Sequence, residues 1–327
     1  MQTVLLPHTD LRLSRIGFGC WTISRLWWGD DHDDARAIRT IHAALDVGIN
    51  WVDTAPLYGH GHADSLVRQA LVERPGALIA TKVGVRWEGR SGHAESDLHP
   101  QHIIEDTEAS LRRLGRDRID LLQVHWPCEH GTPIEDTMDA LVRLREAGKI
   151  RAIGLCNHDA AMLARARRVG PVASLQTPLS LLRREFEGAL ADAVVHPEGE
   201  PPRPVAALVY ETLCRGLLTG RFGAVPTFPD SDLRSRDPRF RGARFRHARG
   251  LLGDLEQVSE RVGQPMSRLA LGWALSRPGV SCAVVGARRP EHVVEAAGAV
   301  ELLGRRRLWS VVDRIATMHG GWPDERV

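Results

Sequence analysis

The chain has 327 residues, 43% hydrophobic and 26% charged, with a formal net charge of +2. That is the balance of an ordinary soluble protein able to bury a large core without staples. A charge so close to zero, with no basic stripe interleaved with aromatics, gives no support for a nucleic-acid partner, and no run approaches the roughly eighteen unbroken apolar residues of a membrane span. The five cysteines, Cys20, Cys128, Cys156, Cys214 and Cys282, are widely spaced and never paired as CxxC. This argues against a disulfide framework or a zinc ribbon. The N-terminal "MQTVLLPHTDLRLSRIG" lacks a basic n-region, a long apolar core and a cleavage site, so a reducing, cytoplasmic compartment is expected.

Two short β-like pieces flank the turn signal "PHTD" and predict a hairpin. Beyond it, short apolar runs alternate with longer amphipathic stretches. The strand candidates are "RIGFGC", "INWVDT", "ALIATKV", "IDLLQVH", "IRAIGLCN", "ASLQTPL", "PVAALVY" and "VSCAVVGA". Helix-period segments such as "DDARAIRTIHAALDVG" and "IEDTMDALVRLREAGKI" lie between them, with Asp, Ser or Pro at their starts and Gly at their ends. Strand and helix repeated about eight times predict an α/β fold of the closed (β/α)8, or TIM, barrel type, one domain over residues 1–327. The rhythm breaks after Tyr210, where "RFGAVPTFPDSDLRSRDPRFRGARFRHARG" (221–250) predicts a long loop. Such a loop is often a lid or binding loop; a solvated excursion is the other reading. "LLGDLEQVSERVG" and "PMSRLALGWALSRPG" follow as helices, and "PEGEPPRP", 197–204, reads as a plain loop.

Four polar residues fall at or just beyond strand ends: Asp53, Tyr58, Lys82 and His125. In a parallel barrel these ends share one face, and that face carries the active site. Singly, Asp53 reads as a helix N-cap, Tyr58 as a half-buried loop aromatic, Lys82 as a rim lysine and His125 as a satisfied rim histidine. Together they make a proton device. A phenol with a pKa of about 10 is a poor acid at neutral pH, and Lys82 would lower it by stabilising the phenolate. Asp53 would hold Lys82 in place, and His125 would hydrogen-bond the oxygen being protonated. That suits protonation of a carbonyl oxygen as hydride reaches carbon. Only Lys82 and Lys149 are lysines. "GFGCWT" lacks the third glycine of a Rossmann fingerprint. "HGH", His60 to His62, has no carboxylate or thiol partner at a known spacing, so no metal is expected.

At these residues the sequence resembles the aldo-keto reductase superfamily nearly end to end, and most closely a bacterial NADP-dependent branch. "GINWVDTAPLYGHGHAD", "IATKVG" and "DLLQVHWP" resemble its catalytic motifs; "IRAIGLCNH", "SLQTPLSLL", "GLLTGRF" and "VVGARRPEHVVEA" resemble its cofactor motifs. The resemblance implies NADPH as cofactor and a tetrad of Asp53, Tyr58, Lys82 and His125, with Tyr58 as general acid in reduction. It implies that Asn157 and Gln176 hold the nicotinamide carboxamide and that Tyr210 stacks on the ring. Leu213, Gly216, Leu217, Leu218 and Arg221 would run along the pyrophosphate, and Arg288 would meet the 2'-phosphate, whose oxygens suit a planar guanidinium. Trp21, Gly286, Ala287, His292 and Glu295 complete the cofactor set. The resemblance also turns the Arg-rich stretch into a loop covering the cofactor. Cys156, Glu211, His292 and Ala296 depart from the family pattern; Glu211 places a carboxylate near a diphosphate.

Nine tryptophans are many for this length. Trp27, Trp28, Trp87 and Trp126, with Trp21, fall in or near the barrel-mouth loops and imply an aromatic-walled pocket for a small carbonyl compound. The expected reaction is NADPH-dependent, reversible reduction of an aldehyde or ketone to an alcohol. The alternatives are reduction of an activated double bond or keto group on a sugar, nucleotide-sugar or secondary-metabolite intermediate, a non-catalytic NADPH-sensing subunit, and a metal-dependent barrel enzyme. The sequence leaves the oligomeric state open.

Overall fold

Eight short runs of mainly Val, Ile, Leu and Ala form the parallel strands of a closed barrel: β1 Ile16–Gly19, β2 Trp51–Asp53, β3 Leu78–Val83, β4 Ile119–Val124, β5 Ile150–Cys156, β6 Ser174–Pro178, β7 Ala206–Tyr210 and β8 Val280–Gly286. Each candidate strand of the sequence contains one of them. They neighbour one another in chain order, and β8 pairs with β1 to close the ring. The computed structural model describes residues 1–87, 89, 94–195 and 204–322; residues 197–203 of the "PEGEPPRP" loop lie outside it.

Because a strand's side chains alternate, the barrel has two cores. Inside, Trp51, Ala80, Leu121, Ala152, Leu208 and Cys282 pack together with Leu6, Leu11 and Leu13. The leucines come from the predicted hairpin, whose arms Thr3–Leu5 and Arg12–Ser14 pair antiparallel. Gly17 on β1 makes the inner packing possible, since a Cβ there would overlap the indole of Trp51. Outside, the strands bury their other faces under helices, among them α1 Asp34–Asp46, α2 His62–Ala70, α3 Pro100–Leu114, α4 Ile134–Glu146 and α5 Ala160–Val169. Asp33 and Asp159 cap α1 and α5 by accepting backbone N–H bonds from Arg36 and Met162. Such caps satisfy donors that the first turn leaves free.

Two features differ from the sequence reading. A short antiparallel ribbon, Val85–Trp87 with Ala94–Ser96, follows β3. The Arg-rich stretch is also not loop throughout: α6 Ala189–Val195 precedes it, and α7 runs Gly242–Val262, absorbing its last nine residues. Phe245, Ala248, Leu251, Leu252, Leu255 and Val258 are all buried on α7. Their helical spacing continues through the arginines, which occupy the other face. The remaining α-helices among the described residues are α8 Met266–Ser276, α9 Pro290–Ala297 and α10 Arg306–His319.

Candidate active site

Asp53 ends β2, in register with Gly19 and Ala80 on its two neighbours. Lys82 lies two residues beyond Ala80 on β3 and pairs in register with Gln123 of β4. Asp53 and Lys82 are 2% and 1% exposed. Lys82 Nζ donates to Asp53 Oδ1 at 2.5 Å and to the Thr54 carbonyl at 3.2 Å. The second carboxylate oxygen accepts from Gln123 Nε2 at 3.0 Å and from Gln176 Nε2 at 2.8 Å. Both carboxylate oxygens of the buried pair are thus hydrogen-bonded, a condition under which such a pair is tolerated.

Tyr58 is held over this pair by its loop. Its N–H donates to the Ala55 carbonyl, and Gly59, at φ 64°, lies so close to the Ser24 carbonyl that a Cβ would overlap it. Lys82 Nζ sits 5.1 Å from the centre of the Tyr58 ring. The His125 ring, just past the end of β4, stands nearly perpendicular to Tyr58 with centroids 6.0 Å apart. The four residues that the sequence placed at strand ends therefore meet.

Burial is the largest influence on the Tyr58 phenol and raises its pKa; the Lys82 charge pulls it down, but not enough. The net shift is upward, against the lowering expected from the sequence, because the site is dry as well as charged. Burial also works against the Lys82 ammonium, yet Asp53 and its other neighbours outweigh burial and its pKa is raised. Burial, reinforced by Lys82, holds His125 well below its ordinary value. The site at neutral pH is a protonated phenol, a charged ammonium and a neutral imidazole.

These groups open into a cleft of about 1260 Å³. Trp21, Asn157, Gln176, Tyr210, Leu213, Gly216, Arg221, Gly286, Ala287, Arg288, His292 and Glu295 line it, as do Trp27, Trp28 and Trp126. Leu218 is wholly buried in the core instead. Trp87 is not in the lining; it stacks on His60 with centroids 5.2 Å apart. Asn157, at φ 62°, accepts from the Tyr210 hydroxyl at 2.7 Å and donates to the His125 carbonyl at 3.2 Å. Its amide also donates to Cys156 Sγ, which in turn contacts Gln176 Oε1 at 3.6 Å. The Tyr210 ring is therefore tethered to the strand end that carries His125.

Arg221, Arg234 and Arg288 also line the cleft and lie close enough to act on one another. Burial lowers the Arg221 pKa first, and the charges of Arg234 and Arg288 lower it further. Arg288 donates to the Trp28 carbonyl at 3.0 Å and lies 3.4 Å from the Asp31 carboxylate. The Arg-rich loop is clasped to the β1–α1 loop. Leu233 N–H donates to the Trp27 carbonyl at 2.9 Å, Trp28 and Asp232 form an antiparallel bridge, and Arg234 grips Asp232 through two bonds, at 2.9 and 2.5 Å. Glu211 is neutralised within the protein by Arg215 at 2.9 Å, Arg239 at 3.1 Å and Arg183 at 3.6 Å. His62 bonds Asp34, and among the described residues no group of three His, Cys, Asp or Glu is placed to hold a metal ion. None of the described helices is long and apolar enough to cross a membrane.

Gln123, Thr54 and Arg215 were not anticipated. A signal for Gln123 exists: Leu121, Gln123 and His125 alternate along one strand, and Leu121 faces the barrel interior. A polar residue on an inward face is the informative exception.

A closed barrel with a buried Asp–Lys pair beneath a tyrosine and a histidine at the strand ends defines a class of oxidoreductase, and the comparisons agree. The chain belongs to the aldo/keto reductase family, whose model matches residues 15–315. It is 36% identical to the aldo-keto reductase YhdN of Bacillus subtilis, over 95% of this chain and 90% of that one. It is 32% identical to the NADH-specific methylglyoxal reductase of Escherichia coli, over 92% and 94%. The solved glycerol dehydrogenase AKR11B4 of Gluconobacter oxydans superposes with a TM-score of 0.87 at 37% identity, covering 99% and 98%.

The family uses nicotinamide cofactors, and the residues present fit one. The cleft exceeds the roughly 300–1,000 Å³ that houses a drug-sized ligand. Its cluster of arginines, where like charges depress one another, favours phosphate, and its lining also offers the tethered Tyr210 ring.

Proposed function

We propose that the protein reduces an aldehyde or ketone to an alcohol, reversibly, with NADPH as hydride donor and Tyr58 as general acid. The observation that carries this reading is the convergence of Tyr58, a neutral His125 and the buried Lys82–Asp53 pair at one end of the cleft. When bound, the cofactor supplies the hydride to the carbonyl carbon. His125 donates a hydrogen bond that orients the carbonyl oxygen, and Tyr58 delivers its proton to that oxygen. Lys82 stabilises the phenolate left behind, and Asp53 keeps Lys82 charged and in place.

Asn157, Gln176 and Tyr210 would bind the nicotinamide, and Leu213, Gly216 and Arg221 the pyrophosphate. Preference for NADPH over NADH would come from Arg288, supported by Arg221 and Arg234, since a guanidinium can grip a 2'-phosphate through two bonds. One relative is named as NADH-specific, so both cofactors belong in the assay. Trp21, Trp27 and Trp126 would wall the substrate site and favour an apolar or aromatic carbonyl compound. All five cysteines are free, which suits a reducing compartment such as the cytoplasm.

The test follows NADPH and NADH consumption across a panel of aldehydes, ketones and sugar-derived carbonyls. Tyr58→Phe should lose about 10²–10⁴-fold in kcat with cofactor affinity unchanged. A Tyr58→Phe enzyme that turns over normally would overturn the assignment.

A further inference from the structure

Asp53 must present one oxygen to Lys82 and have its other oxygen satisfied inside a barrel that is otherwise apolar. Two amides do this, Gln176 from β6 and Gln123 from β4. They are not equivalent. Gln176 also lines the cleft and has its own oxygen in contact with Cys156. Gln123 is not in the cleft lining, is 0% exposed, and its Oε1 has no hydrogen-bond partner. An unsatisfied buried carbonyl oxygen is a penalty that an apolar side chain of similar length, such as methionine, would avoid. Glutamine bears that penalty here in exchange for one side-chain bond among the described residues, the charged one to Asp53.

We propose that Gln123 is a positioning residue: it fixes the Asp53 carboxylate onto Lys82, and through that pair it holds the ammonium beneath Tyr58. The register supports this. Lys82 and Gln123 are paired neighbours on β3 and β4, so both partners of the carboxylate approach side by side. The strand that carries Gln123 also leads into His125 two residues on, which ties the two halves of the site together. Gly154 on β5 keeps the space open: a Cβ there would overlap Ser174 Oγ and lie 2.9 Å from Gln123 Cγ.

This inference rests on the proposed catalytic role of Asp53, Lys82 and Tyr58, so its test includes their variants. The titratable groups around Asp53 are Lys82 on β3, Tyr58 in the loop after β2, Cys20 after β1 and Cys156 on β5. Around these lie Asp64 of α2, bonded to Thr54 and Arg113, and His125. Burial keeps both thiols neutral. Gln123 shows no hydrogen bond to His125 or Asp64, so a loss of kcat on its removal is transmitted through Asp53.

The experiment measures kcat and KM for the wild type, Gln123→Met, Ser174→Ala, Lys82→Met and Tyr58→Phe, with NADPH affinity and thermal midpoint recorded for each. Gln123→Met should lose about tenfold in kcat with substrate KM and NADPH affinity unchanged, the pattern of a contact that matters only in the chemical step. Ser174→Ala, at an equally buried neighbour that makes no bond to Asp53, should leave kcat unchanged. A folded Gln123→Met with wild-type kcat overturns the inference. If the methionine variant does not fold, Gln123→Glu is read instead: a carboxyl in place of the amide donor should lower kcat at least as far, and an unchanged kcat counts against the inference. Full turnover in Tyr58→Phe or Lys82→Met sinks the catalytic reading itself. Loss in both, with Gln123→Met at wild-type kcat, sinks only the role of Gln123.

Discussion

Tyr58 is both buried and cationically supported, and the pH behaviour follows from which influence is larger. Its pKa lies above the ordinary 10.0, so the phenol stays protonated through the neutral and mildly basic range. Carbonyl reduction, which needs the proton, should stay level until the pH exceeds about 10. Alcohol oxidation, which needs the phenolate, should still be climbing there. A reduction rate that falls near neutrality would contradict the burial argument. Lys82→Met should cost about 10²-fold or more in kcat, since it removes the charge that offsets burial of the phenolate and leaves Asp53 unpaired; stopped-flow hydride transfer would measure it. At this scale the sequence was informative where a polar residue ended an apolar run, as with Asp53, Lys82 and His125. Gln123 was harder to find. Its role depends on an oxygen supplied by β2, and no spacing within "IDLLQVH" states that.

The elements that shape the arginine-lined part of the cleft are the two clasped loops, joined at Trp27–Leu233 and Trp28–Asp232. Asp232 is central, because it takes both bonds from Arg234 while Arg234 stacks over Trp28. Asp232→Ala should weaken NADPH binding about five- to tenfold through loss of a charged hydrogen bond, read by fluorescence titration, with little effect on the chemical step. Arg288→Ala should reduce the preference for NADPH over NADH by about tenfold or more, measured as the ratio of kcat/KM for the two cofactors. The long Arg-rich stretch read as loop because Pro, Gly and charge dominate its first half. Its last nine residues are helix because Phe245 and Ala248 extend the buried stripe of α7. Composition masked a periodicity that only the packed face makes plain.

At the scale of the whole barrel, the site depends on an inner core that fills without strain. Gly17→Ala would drive a methyl into the rigid ring of Trp51. It should destabilise by about 1–3 kcal/mol, seen as a thermal midpoint lower by several degrees. The closed ring also explains why residues 53, 58, 82 and 125 meet. Parallel strands joined in sequence order place all their C-terminal ends on one rim, so separation along the chain becomes proximity in space. The hairpin leucines at the opposite end seal the interior, which keeps the Asp53–Lys82 pair dry.

The sequence by itself determined the eight strands, the N-terminal hairpin and the strand-end positions of the tetrad. These follow from local rules, namely the alternation of apolar runs with amphipathic helices and the polar residues Asp53, Lys82 and His125 at the ends of three of the runs. Tertiary structure decided the rest. Burial overcame Lys82 at Tyr58, Glu211 found three arginines instead of facing the cleft uncompensated, Trp87 turned to His60, and Gln123 reached Asp53. Each of these is set by distances across the barrel and by exclusion of water, and both arise only when the ring closes.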